Sequence, residues 1–138
     1  MVAKVSFMRG AAAYLVVISV LALSGNLIHA RAAATYEDLN ETIGYLLDFI
    51  ANSESTFIRN GSSYPPKKAA EHIQAKYDYF KKEIKTPEDF IRLAASKSEF
   101  SGRPYLVRTK DGKEVETADW LRKALNDYRI TQRFSHRE

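Results

Sequence analysis

The sequence predicts a small single α+β domain with a helical majority and two short antiparallel hairpins, in the order helix, hairpin, helix, helix, hairpin, helix. Apolar residues recur at spacings of three and four in several stretches, which is typical of amphipathic helices. Two pairs that accept positive φ, Asn60-Gly61 and Asp111-Gly112, separate short β-prone runs and indicate tight hairpin turns. This mixture of helices and antiparallel strands defines the α+β class.

The first predicted helix opens near Thr35, whose side chain can cap it with Asp38 three residues later. Asn52 is expected to end the helix. Its buried face is given by apolar residues at helical spacing, namely Leu39, Ile43, Leu46, Leu47 and Ile50. An amphipathic helix of this kind is expected to pack on the rest of the domain.

Each predicted hairpin has a short strand on both sides of its turn. The strands are residues 56–59 and 62–64 around the first turn, and residues 105–108 and 113–116 around the second. Val115 is the only apolar residue in its strand, so the second hairpin is expected to turn one face to water and to form a small sheet of its own.

Prolines open the second and third helices, since a missing N–H costs little at the first helical position. The second helix follows Pro65-Pro66 and has the apolar stripe Ile73, Tyr77, Phe80 and Ile84. Thr86 is predicted to cap the third helix, with Pro87 and Asp89 in its first turn. A fourth helix begins at Thr117 and has Leu121, Leu125 and Tyr128 on one side.

Residues 1–32 are predicted to be a cleavable signal peptide that takes no part in the fold. A positively charged start precedes an uncharged apolar run over residues 11–23, which is shorter than the roughly 20 residues of a membrane-spanning helix. Small residues then allow cleavage after Ala32 or Ala34, and an uncleaved anchor is the alternative. We therefore expect a periplasmic protein that meets the membrane only before cleavage.

The mature chain is expected to be one domain over residues 33–128, followed by a tail at residues 129–138 that has few apolar anchors and should fray. The full chain has 21 basic and 17 acidic residues, a net charge of +4. Loss of Lys4, Arg9 and Arg31 leaves 18 basic residues and a charge of +1, which does not favour nucleic acid as a partner. The chain has no cysteine, which excludes disulfides and thiol nucleophiles.

Catalytic motifs are missing from the sequence: it has no Ser-x-x-Lys, no nucleophile elbow, no phosphate loop and no His-Glu-x-x-His. After the leader only His72 and His136 supply imidazoles, so neither a metal site nor another cofactor is expected. The sequence therefore predicts no catalytic residues.

Two elements carry the polar residues that could bind a ligand. The first is the hairpin turn and the helix after it, where His72 and Lys76 share a face because they are four residues apart. The second is the polar loop over residues 96–105. The candidate ligand-binding residues are Arg59, Asn60, His72, Lys76, Ser96, Ser98, Arg103 and Tyr105. Their cations and hydroxyls favour an anionic or sugar-like ligand, with a solvated helix flank and ordinary turn chemistry as the alternatives.

Several segments of the mature chain resemble one protein family. They are Phe57 to Gly61, Ala69 to His72, Lys76, Ile84 to Thr86, Glu88, Phe90-Ile91, Ala95-Ser96, Ser98, Ser101 to Tyr105, and Val107. In this order they resemble the YfeK-like family of small exported bacterial proteins, a domain of unknown function, over residues 36–128. The resemblance implies a location in the bacterial envelope, and it brings neither an activity nor catalytic residues.

These observations favour a non-catalytic binding or interaction module of the periplasm. Its partner would be an envelope protein, as for a small inhibitor or immunity-type protein, or an anionic or sugar-like ligand. A small hydrolase or transferase, with His72 as general acid or base beside a loop serine, is one alternative. A purely structural envelope protein, with no pocket near His72, is another. The oligomeric state is left open.

Overall fold

The computed structural model describes residues 37–135. In this range the helices and strands are α1 Leu39–Ala51, β1 Thr56–Arg59, β2 Ser62–Tyr64, α2 Pro66–Phe80, α3 Pro87–Ala94, β3 Leu106–Arg108, β4 Glu114–Glu116 and α4 Thr117–Ser135. The predicted α+β class, the element order and both hairpins are confirmed. The predicted signal peptide with its cleavage sites, Thr35 and His136 lie outside the described residues.

The two hairpins join into one antiparallel sheet of strand order β2-β1-β3-β4, whereas the sequence predicted separate small sheets. The junction is the β1–β3 pairing, in which Phe57 lies opposite Val107. Both side chains are buried, with 5% and 0% exposure, on the face that the helices cover. The physical reason for the single sheet is that pairing β1 with β3 buries both apolar side chains together and satisfies backbone groups that two separate hairpins would leave open.

The core lies between this sheet and the four described helices. The Trp120 ring on α4 meets Phe57 of β1 edge-on, with ring centroids 5.7 Å apart. The predicted apolar face of α1 is confirmed at Leu46 and Ile50, which are fully buried. Ile84 is buried as expected but is not helical, because α2 ends at Phe80 and the chain turns before it.

Side chains fix the starts of two helices. Thr86 caps α3 as predicted: its Oγ1 accepts the N–H of Asp89 at 3.1 Å, and Asp89 Oδ2 accepts the N–H of Thr86 at 3.2 Å. The prediction that Thr35 caps α1 is wrong, because Asp38 occupies that position. Asp38 directly precedes the helix, where its carboxylate can accept two free N–H groups of the first turn, at 2.9 and 3.0 Å.

The last helix runs further than the predicted domain. α4 continues to Ser135, so residues 129–135 of the predicted tail are helical. Arg129 Nη1 donates to Glu88 Oε1 at 2.6 Å and ties the start of this segment to α3. Its fraying in solution stays a prediction. Among the helices of residues 37–135, none is long and apolar enough to cross a bilayer.

Candidate functional site

The first hairpin and α2 enclose an open cavity beside β2, the edge strand of the sheet. Arg59 lies two residues after Phe57, and Tyr64 pairs opposite Phe57, so these side chains leave the same face of the sheet. The first half of α2 covers that face. The cavity has a volume of about 350 Å³, and its apolar lining comes from Phe57, Ile58, Tyr64, Ala69 and Ile73. We call it the apolar cavity.

A second, more open recess of about 500 Å³ adjoins it, and Arg59, His72 and Tyr105 line both. This polar recess extends under the loop of residues 96–105. It gathers six of the predicted site residues: Arg59, Asn60, His72, Lys76, Ser98 and Tyr105. Two elements that are distant in sequence therefore meet at one surface, as the sequence hypothesis requires.

Two predicted site residues, Ser96 and Arg103, line neither recess. Ser96 Oγ donates to the carbonyl of Arg92 at 2.6 Å and so satisfies a backbone group at the end of α3. The carbonyl of Arg103 accepts the N–H of Ser98 at 3.0 Å, while its side chain is exposed. Both residues shape the loop, and the structure leaves them outside the site.

Asn60 connects the turn of the first hairpin to this loop. Its Nδ2 donates to Ser98 Oγ at 3.4 Å, and its Oδ1 accepts the Ser101 hydroxyl at 2.5 Å. Within the loop, the N–H of Gly102 donates to the carbonyl of Ser98 at 2.9 Å, with Gly102 at a φ of 67° that favours glycine. The loop is thereby held in one arrangement over the polar recess.

A hydrogen bond of 3.0 Å joins His72 Nε2 to the hydroxyl of Tyr105 at the wall between the two recesses. Burial, with the positive charges of Arg59 and Lys76, lowers the pKa of His72 below its usual 6.5. Burial raises the pKa of Tyr105. Both rings are therefore uncharged near neutral pH, and their hydrogen bond joins two neutral groups.

Lys76 is buried beside this pair, with 9% exposure. Its Nζ donates to the carbonyl of Lys97 at 2.7 Å and to Glu99 Oε1 at 3.2 Å, and lies 5.2 Å from the centre of the Tyr105 ring. Burial lowers the pKa of Lys76, and the carboxylate of Glu99 opposes that shift. The charge of Lys76 is thus compensated inside the protein.

Arg59 differs from Lys76 in this respect. Its guanidinium lies 4.6 Å from the centre of the Tyr64 ring, and Nη2 donates to the Tyr64 hydroxyl at 3.2 Å. It forms no ion pair with any carboxylate in the described part of the chain. A half-buried cation without a countercharge, facing two recesses, is the feature that most resembles a binding group.

The site lacks the arrangement that nucleophilic catalysis uses. His72 bonds to Tyr105 rather than to a loop serine, and Ser98 Oγ is engaged by Asn60 and by the N–H of Ser101 at 3.3 Å. Nowhere between residues 37 and 135 do three side chains of His, Cys, Asp or Glu gather to hold a metal ion. The side chains of the candidate site offer hydrogen bonds and the positive charge of Arg59, which is unpaired within the described residues.

Sequence reasoning missed the apolar half of the site. Tyr64 supplies the ring under Arg59, and Ala69 and Ile73 supply the opposite wall. The period-two pattern of a hairpin could have paired Tyr64 with Phe57, which places Arg59 beside it. Glu99, the partner of Lys76, had no signal in the sequence, because it lies on a loop 23 residues away.

Comparison with known proteins gives a family without an assigned role. A family model described as "Family of unknown function (DUF5329)" matches residues 37–129. The chain is 35% identical over 64 residues to "Uncharacterized protein YfeK" of Salmonella typhimurium, a match over 46% of this chain and 53% of that protein. The match thus spans about half the length of this relative. No solved structure matches the chain.

Proposed function

Because the chain belongs to the family of unknown function DUF5329, as its resemblance to YfeK-like proteins predicted, we propose its role from the site: a non-catalytic binding module of the periplasm for an anionic ligand. The single observation that carries the proposal is Arg59. It is a half-buried guanidinium that faces two recesses and has no ion-pair partner within residues 37–135. An anion would supply the missing countercharge.

Binding is favoured over catalysis because the groups that could move protons are already hydrogen-bonded to other groups of the protein. His72 is held by Tyr105, and Lys76 is held by the loop carbonyl of Lys97 and by Glu99. A general base must instead reach the proton that it removes from a nucleophile or substrate. Bonded networks of this kind fix the shape of a site, which serves selective binding.

An anion is favoured over a neutral sugar by the charge balance at the site. Arg59 presents a planar fork of N–H donors that matches a carboxylate or phosphate. The loop hydroxyls that a sugar would need are largely used: Ser98 Oγ and Ser101 Oγ bond to Asn60. The free donor capacity therefore lies with the guanidinium.

The periplasmic part of the proposal is supported by the predicted leader, by the lack of cysteines and by the family resemblance. Intact mass and amino-terminal sequencing of the protein in a periplasmic fraction test it. We expect a chain that starts at Ala33 or Thr35. A chain in the cytoplasmic fraction that starts at Met1 would contradict the proposal.

Anion binding is tested on that processed protein by titration with acetate and with inorganic phosphate, followed through backbone amide NMR signals. We expect the shifts to concentrate around Arg59 and to disappear in Arg59→Gln. Arg103→Gln is the matched control, because Arg103 is an exposed arginine that lines neither recess. Equal shifts in both variants, or none in the wild type, would show that Arg59 is no anion site.

A further inference from the structure

We propose that the ligand binds mainly in the apolar cavity and that it is a small organic monocarboxylic acid. Its carboxylate would lie at Arg59, and its compact aromatic or aliphatic body would lie between the first hairpin and α2. The inference rests on the proposed function and adds the chemical class of the ligand to it.

The first reason is the lining of the apolar cavity. Much of its wall is formed by apolar side chains of the hairpin and of α2, among them Phe57, Ala69 and Ile73. Besides Arg59, it is also lined by the charged side chains of Lys68 and Glu71 and by the imidazole of His72. A volume of about 350 Å³ lies near the lower end of the roughly 300–1,000 Å³ found for small-molecule sites. Such walls gain free energy from a ligand body that leaves water.

The second reason is where the polar groups lie. Arg59, His72 and Tyr105 line both recesses and therefore stand along their shared wall. A carboxylate placed there reaches the guanidinium while the rest of the ligand enters the apolar cavity. Small-molecule sites commonly have this form, an apolar pocket with a few polar groups that fix orientation.

The third reason is the number of free charges. At the rim of the cavity, Lys68 Nζ and Glu71 Oε2 pair at 2.7 Å, so the Glu71 carboxylate already has a cation of its own. Lys76, the other nearby cation, is paired with Glu99. One uncompensated guanidinium matches one negative charge, which favours a monocarboxylate over a dianionic phosphate ester.

Three matched probes test the inference by NMR titration of the processed wild-type protein: 3-phenylpropanoate, acetate and 3-phenylpropanamide. The first has charge and body, the second has charge alone and the third has body alone. We expect 3-phenylpropanoate to bind at least about tenfold more tightly than either of the others, because only it uses both the guanidinium and the apolar walls.

The outcomes separate the two proposals. Equal affinities for acetate and 3-phenylpropanoate, both lost in Arg59→Gln, would support the anion site at Arg59 and overturn ligand binding in the apolar cavity. No binding by any anion would overturn both. Acetylglycylphenylalanine, a peptide carboxylate, serves as a fourth probe. If it binds more tightly than 3-phenylpropanoate, the small-acid assignment is overturned, because the ligand would then be the end of a polypeptide.

A cavity-filling variant places the ligand. Ala69→Leu extends a side chain from α2 into the apolar cavity, and Ala75→Leu makes the same change at an exposed position of the same helix. We expect Ala69→Leu to lose the tenfold advantage over acetate while acetate still binds, and Ala75→Leu to behave as wild type. If Ala69→Leu still binds 3-phenylpropanoate tenfold more tightly than acetate, the ligand does not lie in the apolar cavity.

A measurement on the wild type covers the case in which Ala69→Leu does not fold. Bound 3-phenylpropanoate should show intermolecular nuclear Overhauser effects from its ring protons to the methyl groups of Ala69 and Ile73, which form the α2 wall of the cavity, across from the hairpin. Saturating ligand without these effects would overturn the proposal.

Discussion

The two hairpins turn on the same kind of residue pair but differ in what their turns contact. Asn60 and Gly61 have φ values of 52° and 82°, and Gly112 has a φ of 83°. The Asn60 side chain bonds to Ser98 and Ser101, 38 and 41 residues away. One turn is therefore joined to a distant loop by the side chain that also shapes it.

The second turn is bonded mainly by its own residues, apart from the exposed ion pair of Lys110 with Glu54 at 2.6 Å. Asp111 accepts the Thr109 hydroxyl and the N–H of Lys113, and the N–H of Thr109 donates to the carbonyl of Lys113 at 2.9 Å. Its strands, Leu106–Arg108 and Glu114–Glu116, carry no residue of the candidate site, and Tyr105 directly precedes the first of them. The same kind of turn pair can therefore form either a connection away from the site or a support for a binding surface, according to its tertiary contacts.

Of the changes at the two turns, Gly61→Val should destabilise the fold most. A β-branched residue at positive φ is strained, and such strain costs on the order of 1–3 kcal/mol. Gly112→Val introduces the same strain. We expect Gly61→Val to lower the free energy of unfolding more than Gly112→Val does, because it also displaces the Asn60 contacts. Urea melts measure both. Equal losses in the two variants would mean that the Asn60 contacts add no stability. As a control, Ser62→Ala should change the free energy of unfolding by less than about 0.5 kcal/mol.

An intermediate effect is expected from Asn60→Gly, which keeps the positive φ and removes only the side-chain amide. Loss of its hydrogen bonds should cost about 0.5–1.5 kcal/mol. Amide hydrogen exchange at Ser98 and Gly102 should become faster, because the loop loses its link to the hairpin. Asp111→Gly is the control, and if it speeds exchange at Ser98 as much, the contrast between the two turns fails.

A smaller effect is expected from the pH dependence of stability at His72, which lies on α2, the helix that follows the first hairpin. His72 has a pKa lowered by burial and by Arg59 and Lys76. The other titratable groups near it are Tyr105, its hydrogen-bond partner, Glu99 in the polar recess, and the paired Lys68 and Glu71 in the apolar cavity. Below 6.5 the unfolded chain therefore binds more protons at this residue than the folded chain does.

The sign of the effect follows from that difference. The stabilising contribution of neutral His72 is complete above its unfolded pKa of 6.5 and is lost as the pH falls through its lower folded pKa. His72→Gln should flatten the change of the urea midpoint between about pH 7 and pH 5. Lys113→Gln, on the second hairpin, should keep the wild-type slope. An unchanged slope in His72→Gln would show that its titration is not linked to folding.

The sequence predicted those features whose causes are local. Thr86 and Asp89 form a capping box within one helical turn, and Gly61 and Gly112 are needed by their own turns. The β1–β3 pairing was not predicted, because no short-range pattern reports that Phe57 will lie beside Val107. Non-local pairing is decided by which buried surfaces fit together, and this choice depends on the whole chain.

The candidate site was predicted in the same uneven way. His72 and Lys76 could be placed on one face because helical spacing is regular. The loop residues could not be sorted, because a polar loop gives no period that tells an inward side chain from an outward one. Ser98 therefore turned out to lie in the polar recess, whereas Ser96 and Arg103 did not.

The β1–β3 pairing also bears on how the molecule acquires its site in time. Each hairpin can close by itself within microseconds, but Tyr105 comes next to His72 only after two strands far apart in sequence have met. The pairing of β1 with β3 is the slower event, because it must bring together strands that are separated by the whole chain segment from β2 to α3. A ligand held by Arg59 and the wall of His72 and Tyr105 would bind the finished fold and not the open chain, and would shift the folding equilibrium in proportion to its concentration.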